Sequence, residues 1–192
     1  MDKIDGKLLR EMIISGANKL TNDKALIDRL NVFPVPDGDT GTNMSLTIAS
    51  AISELSKLKE DDITLIGKAI AKGSLMGARG NSGVILSQIL RGFAKGIEGR
   101  DVLTVKDVAQ ALKESSDVAY KAVMKPVEGT ILTVIRETAA YAMSIRKGDI
   151  SMEDFLNRIL EEARGSLSRT PELLKALKEA NVVDSGGKGL VS

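Results

Sequence analysis

The chain has 192 residues, of which 43% are hydrophobic and 28% are charged, and its 27 basic and 26 acidic side chains leave a net charge of +1. This length and composition predict one globular domain with a full core, and the balanced charge argues against nucleic acid or an anionic membrane as a partner. Cysteine and histidine are both absent, which excludes disulfides, Cys/His zinc sites, thiolate nucleophiles and imidazole bases.

The opening residues carry no apolar signal region, and no run approaches the roughly 18 apolar residues that a membrane span needs. We therefore expect a cytoplasmic protein.

Apolar and small residues recur at helical spacing almost throughout, whereas strand-like alternation is scarce. The pattern predicts an all-α domain, with helices over about 4–20, 23–30, 41–58, 62–78, 81–96, 104–124, 129–146, 151–167 and 171–180. The short links predict antiparallel neighbours in a bundle or helical barrel.

Several of these helices begin with capping signals. Thr104 and Ser151 each precede a carboxylate by three residues, in a variant of the capping box. Thr170 stands before Pro171, which predicts a helix start there, because proline at the first helical position loses no hydrogen bond. Thr130, after a glycine, is expected to cap the helix that follows it.

Three segments break the helical pattern: residues 31–43, 73–83 and 183–189. In the first, two prolines stiffen the chain before Asp37 and Asp39, and the glycine between these two residues allows unusual backbone angles. Two carboxylates so close in sequence can point at one cation, and the amide oxygen of Asn31 can join them. Mg²⁺ prefers such oxygen ligands together with waters and phosphate oxygens, so we predict a metal site here.

A helix follows this acidic turn at once. Its free N–H groups, with Thr40, Thr42 and Asn43, favour a phosphate group at the same point. The alternative is a surface turn that only caps the helix, because Asp, Gly and Thr are common turn residues. A calcium EF-hand is excluded, since the sixth and twelfth loop positions hold Thr42 and Ile48 rather than Gly and Glu. An aspartyl-phosphate phosphatase would need an α/β fold.

The second segment predicts a turn that leads into a helix. Its backbone N–H groups, with Gly80, Asn81, Ser82 and Gly83, can hold phosphates, and tight helix packing through small residues is the alternative. It lacks the Gly-Lys-Ser/Thr of a Walker P-loop. The third segment has Gly189 after its lysine and is no Walker motif either. Its glycine-rich end suggests that the chain is part of a longer protein.

Together the segments 31–44, 77–83, 126–130 and 183–189 resemble, in order and spacing, the nucleotide-binding domain shared by two enzymes. These are the ATP-binding subunit of dihydroxyacetone kinase and the kinase subunit of bacterial fatty acid kinase, and the second match is closer. The resemblance covers essentially the whole chain and implies a closed antiparallel barrel of about eight helices. It implies ATP or ADP and two Mg²⁺ ions at one rim.

The resemblance also implies residue roles. Asp37 and Asp39 match metal-binding aspartates, and Asn31 is the nearest counterpart of a third. Phosphate contacts match Asn43 and the turn at Ser82. The adenosine part would lie at Thr130 and at the loop that contains Asp184 and Gly186.

The resemblance further implies a fatty acid acceptor, presented by a separate fatty-acid-binding protein and converted to acyl phosphate, as in phospholipid metabolism. A carboxylate with a pKa of about 4 to 5 is already ionised at neutral pH and needs no base, so we assign no catalytic residue. Arg79 or Lys188 can help to neutralise the developing charge.

A homodimer is left open. The alternatives are a dihydroxyacetone-type hydroxyl kinase, and a helical module that senses nucleotide or is purely structural.

Overall fold

A computed structural model describes residues 2–192, and within this range the chain forms nine α-helices. They are α1 (Gly6–Leu30), α2 (Thr40–Ser56), α3 (Ile63–Met76), α4 (Gly80–Ile97), α5 (Val105–Ala122), α6 (Ile131–Ile145), α7 (Met152–Leu173), α8 (Lys175–Ala180) and α9 (Ser185–Val191). The prediction of an all-α domain is confirmed. None of these helices has the length and apolar composition that a membrane span needs.

Helices α1 to α7 pack against one another in chain order. The short helix α9 contacts α1 and α2 on one side and α6 and α7 on the other, so it joins the two ends of the series. One apolar core runs through the structure, and side chains such as Ile27, Met44, Ile66 and Phe155 are fully buried in it. The fold therefore places residues from both ends of the sequence side by side.

The first helix is continuous where the sequence predicts a break at residues 21 and 22. Thr21 and Asn22 are exposed on its solvent side, so they lower the stability of the helix only slightly. Leu20 and Ile27 continue the buried face through this region. An ion pair between Lys19 and Asp23, one turn apart, adds support.

Helix α7 also continues where the sequence predicts a stop and a new start. Pro171 lies inside the helix and has no N–H to offer the carbonyl of Leu167, one turn earlier. The hydroxyl of Thr170 donates to that carbonyl instead, at 2.7 Å. The prediction that Thr170 caps a helix is therefore wrong, because its side chain repairs the helix rather than starting one.

Other capping predictions are confirmed. Thr104 and Asp107 form a reciprocal capping box, and Ser151 accepts the N–H of Asp154 at 3.1 Å. Thr130 stands at the N-cap of α6 and accepts an N–H from its first turn at 3.3 Å. Segment 183–189, predicted as a loop, instead forms most of α9.

Candidate functional site

The loop between α1 and α2 is held in place by the side chain of Asn31. Its amide oxygen accepts the N–H of Asp39 at 3.1 Å, and its amide nitrogen donates to the carbonyls of Phe33 and Val35 at 3.4 and 3.2 Å. Asn31 itself is buried. These bonds fix the point at which Asp39 leaves the loop. The structure therefore gives Asn31 an anchoring role, and a metal-ligand role for it stays a prediction.

Asp37 and Asp39 bring two carboxylates to the end of the loop before α2. Among the described residues, neither side chain makes a hydrogen bond or an ion pair, although Asp39 occupies the N-cap position of α2. Gly38 between them has a φ of +67°, a left-handed conformation that glycine adopts without strain. The side chain of Asp39 therefore does not cap α2, which argues against the alternative of a turn that only caps the helix.

Thr42 is turned away from these carboxylates. Its N–H and its hydroxyl both donate to the carboxylate of Asp28, at 2.9 and 2.7 Å, which ties the start of α2 to α1. No sequence pattern indicates this contact, because Asp28 lies on the preceding helix with no motif around it. The structure therefore gives Thr42 a role in joining α2 to α1, and the phosphate contact predicted for it stays a prediction.

The start of α4 lies against the start of α2. Gly80 has a φ of +65°, and a Cβ added there would lie 2.5 Å from Nδ2 of Asn43. Arg79, at the N-cap position, makes no side-chain capping bond. Within residues 2–192, the side chains of Asn43, Asn81 and Ser82 have no hydrogen-bond partner. The turn therefore leaves polar groups and helix N–H groups free for an anion.

Gly83, also predicted to contact phosphate, is buried and packs against Thr47 of α2. Gly73 and Gly77 likewise bring α3 close to Ser50 of α2. Tight packing through small residues therefore applies to Gly73, Gly77 and Gly83, Gly80 makes the turn into α4, and phosphate binding by this segment stays a prediction.

The segment between α5 and α6, residues 123–130, is fixed by a polar network. Glu128 accepts hydrogen bonds from the hydroxyl of Tyr120 and from the guanidinium of Arg136, each at 3.1 Å. At its end, the hydroxyl of Thr130 donates to a backbone carbonyl of the same segment at 2.7 Å. These bonds fix the conformation of the second half of the segment, which leads into α6.

Asp184, at the N-cap of α9, is 5% exposed, and its carboxylate accepts the N–H of Gly187 at 2.8 Å. Burial raises the pKa of Asp184 to about 6, although hydrogen bonds from the N–H groups of Gly187 and Ile131 act in the opposite direction. Its own N–H donates to the hydroxyl of Thr170 at 3.1 Å. Thr170, whose hydroxyl also binds the carbonyl of Leu167 within α7, therefore positions the start of α9.

All these elements surround one cavity of about 770 Å³. The predicted site residues that line it are Asn31, Asp37, Asp39, Thr40, Asn43, Gly80, Asn81, Ser82, Thr130, Asp184 and Gly186. Thr42 and Gly83 lie outside it. The structure thus brings eleven of the thirteen predicted residues together from four separate parts of the chain.

Sequence reasoning missed the apolar part of this cavity. Its apolar residues include Phe33, Val84, Ile85, Val123, Val127, Ile131 and Leu132. Their spacing is that of ordinary core positions, so no local signal marks them. Neither Arg79 nor Lys188 lines the cavity, whereas Lys125 does.

The donor set fits Mg²⁺ rather than a metal that needs a full protein cage. No group of three or more Asp, Glu, His or Cys side chains comes together in the described part of the chain. Mg²⁺ is commonly held by one or two carboxylates, with waters and substrate phosphates as the other ligands. Two free carboxylates beside uncapped helix N-termini meet that requirement.

Comparison with known proteins gives consistent matches. A family model described as the DAK2 domain matches residues 34–192. Protein YloV of Bacillus subtilis is 53% identical over 188 residues, which are 98% of this chain and 34% of that protein. An uncharacterized protein of Staphylococcus saprophyticus is 54% identical over 190 residues, 99% of this chain and 34% of that protein. The chain thus spans about a third of the length of these relatives.

Among solved structures, the dihydroxyacetone kinase of C. freundii in complex with AMP-PNP and Mg²⁺ matches with a TM-score of 0.71. The match covers 100% of this chain and 33% of that one, at 17% sequence identity. The two chains therefore share a fold, over the whole length of this one.

Proposed function

Since the chain belongs to the DAK2 domain family, we propose that it is the Mg²⁺-dependent, ATP-binding domain of a phosphotransferase. The observation that carries the proposal is the pair of unpartnered carboxylates, Asp37 and Asp39, which share one cavity with the uncapped start of α4. The Mg²⁺- and AMP-PNP-bound relative with the same fold adds support.

In this proposal Asp37 and Asp39 hold Mg²⁺, and Asn31 keeps Asp39 in position. When bound, Mg²⁺ neutralises the negative charge of the phosphates and polarises the transferred group. Free N–H groups at the start of α4, with Asn43 and Ser82, bind the phosphates.

The nucleoside occupies the remainder of the cavity, where the wall is apolar. Val127 and Leu132 provide surface for the base, and Thr130, Asp184 and Gly186 provide polar groups. A pocket that is mostly apolar with a few polar groups is typical of sites for small organic ligands.

For the acceptor we propose the carboxylate of a fatty acid, presented by a separate fatty-acid-binding protein in the cytoplasm, where ATP is supplied. A carboxylate oxygen forms the new bond to the γ-phosphorus, and the bond from that phosphorus to ADP breaks. The products are acyl phosphate and ADP. The acceptor is ionised at neutral pH, so a chain without histidine needs no other base.

In this proposal, residues 1–192 act as one ATP-binding domain, the N-terminal part of a longer chain, as the length of the relatives favours. A hydroxyl acceptor of the dihydroxyacetone type is the second candidate, and the shared fold with dihydroxyacetone kinase favours it.

Thermal unfolding with and without Mg-ATP tests the nucleotide site. Ligand at 100 times its dissociation constant is expected to add about 2.7 kcal/mol to the free energy of unfolding. The double variant Asp37→Ala, Asp39→Ala should lose this gain, whereas Asp101→Ala, an exposed aspartate away from the cavity, should keep it. Absence of a gain in the unaltered chain, or an equal gain in the double variant, would rule out the proposed site.

A second experiment separates the two acceptors. The full-length protein is incubated with Mg-ATP and either a fatty-acid-loaded binding protein or dihydroxyacetone, and products are identified by mass spectrometry. Acyl phosphate supports the first candidate. Phosphorylated dihydroxyacetone without acyl phosphate supports the second.

A further inference from the structure

We propose that Lys125 is a specificity-determining residue that binds the polyphosphate of the nucleotide beside the N-terminus of α4. The inference rests on the proposed function, since it concerns the same cavity. Three observations carry it: the position of Lys125, its lack of a partner, and the charge of the cavity.

The position follows from the packing of α4 on α5. A Cβ added at Gly92 would lie 2.6 Å from the Cα of Ser115, and one added at Gly96 would lie 2.5 Å from the Cα of Ala111. Four residues forward on α4 therefore correspond to four residues backward on α5, which makes the two helices antiparallel. Continued in the other direction, this register places the last turn of α5 beside the second turn of α4.

The cavity agrees with this register. Val84 and Ile85 of α4 line it together with Ala122 and Val123 at the end of α5. Lys125 follows two residues later and lines the same cavity, as do Gly80, Asn81 and Ser82 of the first turn of α4. Lys125 and the free helix N–H groups therefore share one cavity.

Lys125 is also free to bind an anion. It is exposed, and its ammonium group makes no ion pair or hydrogen bond with any described residue. The segment that carries it is fixed at its far end by Glu128, through Tyr120 and Arg136. The backbone of Lys125 is thus held near the cavity, while its side chain keeps the reach of a flexible cation.

The negative charge of the cavity favours a cation at this position. Asp37, Asp39 and Asp184 are its acidic residues, and Lys125 is the one basic residue that lines it within residues 2–192. A triphosphate brings further negative charge. Lys125 can reduce the repulsion between the phosphates and the carboxylates, and it offers up to three donors to phosphate oxygens. Adenosine, which has no phosphate, gains nothing from it.

Isothermal titration of the 192-residue chain with Mg-ATP and with adenosine tests the inference. Lys125→Met should weaken ATP binding about tenfold, as expected for a lost charged hydrogen bond, while adenosine binding stays within about twofold. Lys125→Arg should retain most of the affinity. Lys121→Met is the matched control, because Lys121 is also exposed, lies four residues earlier and does not line the cavity.

The possible outcomes separate the two proposals. If the unaltered chain binds no ATP, both fail. If it binds ATP and Lys125→Met binds ATP equally well, the role of Lys125 alone is overturned. An equal loss of ATP and adenosine affinity in Lys125→Met would also overturn it, because the lysine would then support the shape of the cavity. Circular dichroism of each variant confirms that the fold is kept.

Discussion

The hydroxyl of Ser185 donates a hydrogen bond to the hydroxyl of Thr40 at 3.2 Å, between residues 145 positions apart in the chain. Both side chains are buried, and both line the cavity. The bond therefore connects the start of α2, beside the predicted metal ligands, to the start of α9.

A double-mutant cycle measures this connection. Ser185→Ala and Thr40→Val each remove the bond without leaving a larger side chain, and each should lower the free energy of unfolding by about 1 kcal/mol. In the double variant the losses should be less than additive, because the second change has no bond left to remove. Urea unfolding gives the values. Strictly additive losses would show that the bond contributes no coupling.

Asn31→Asp distinguishes an anchoring role from a ligand role. Aspartate keeps an oxygen near Asp39 but replaces the amide donor that faces the carbonyls of Phe33 and Val35. If Asn31 is an anchor, the variant loses those bonds and gains repulsion, so its affinity for Mg-ATP should fall about tenfold. Titration calorimetry checks this. Equal or tighter binding would instead indicate that the oxygen at this position contacts the metal.

Gly80→Ala should be costly for two reasons. Its φ of +65° is strained for alanine, and the added methyl group meets Nδ2 of Asn43. We expect a loss of about 2 kcal/mol in the free energy of unfolding, together with weaker ATP binding. Gly16→Ala is the matched control: it lies exposed inside α1 with nothing near its added methyl group, and it should gain about 0.5 to 1 kcal/mol. Chemical denaturation shows whether each substitution lowers or raises the free energy of unfolding.

Asp184 gives the chain a specific pH dependence. Its pKa rises from 3.8 to about 6 on folding, so the folded state binds the proton more tightly than the unfolded state does. The stability that this proton provides is fully present below pH 3.8 and is lost as the pH rises through about 6. The difference between these pKa values corresponds to at most about 3 kcal/mol.

The variant Asp184→Asn isolates this effect. Relative to the variant, the unaltered chain should gain stability as the pH falls from 7 to about 4, and the other titrating groups cancel in the difference. Denaturant titrations across this range provide the measurement. Parallel curves for the two proteins would contradict the prediction.

Thr170→Val should leave two buried groups without a partner, the carbonyl of Leu167 and the N–H of Asp184. We expect a loss of about 3 kcal/mol in the free energy of unfolding. Pro171→Ala restores a backbone donor for the carbonyl of Leu167. The valine substitution should therefore cost less in that background, and an equal cost would show that the hydroxyl does not replace the missing N–H of Pro171.

The sequence predicted those features that depend on neighbouring residues. The caps at Thr104 and Thr130, the helical pattern and the acidic turn at Asp37 all result from interactions within a few positions, so a short segment contains the whole signal.

The features that were missed depend on contacts between distant segments. Pro171 stays within a helix because a hydroxyl replaces its missing N–H, and Thr42 faces Asp28 because α1 happens to pass there. Lys125 belongs to no motif, and it lines the cavity only because the segment after α5 lies there. Composition and spacing carry no information about such pairs.

The place of α9 also has a consequence for how the protein folds. Asp184, Ser185 and Gly186 form part of the cavity, yet they meet Thr40 only when α9 lies between α1 and α6. Contacts between residues so distant in sequence form late, because a long stretch of chain must be ordered first. During synthesis, therefore, the earlier helices can assemble before the cavity exists, and a growing chain completes this cavity only with the last residues of this segment.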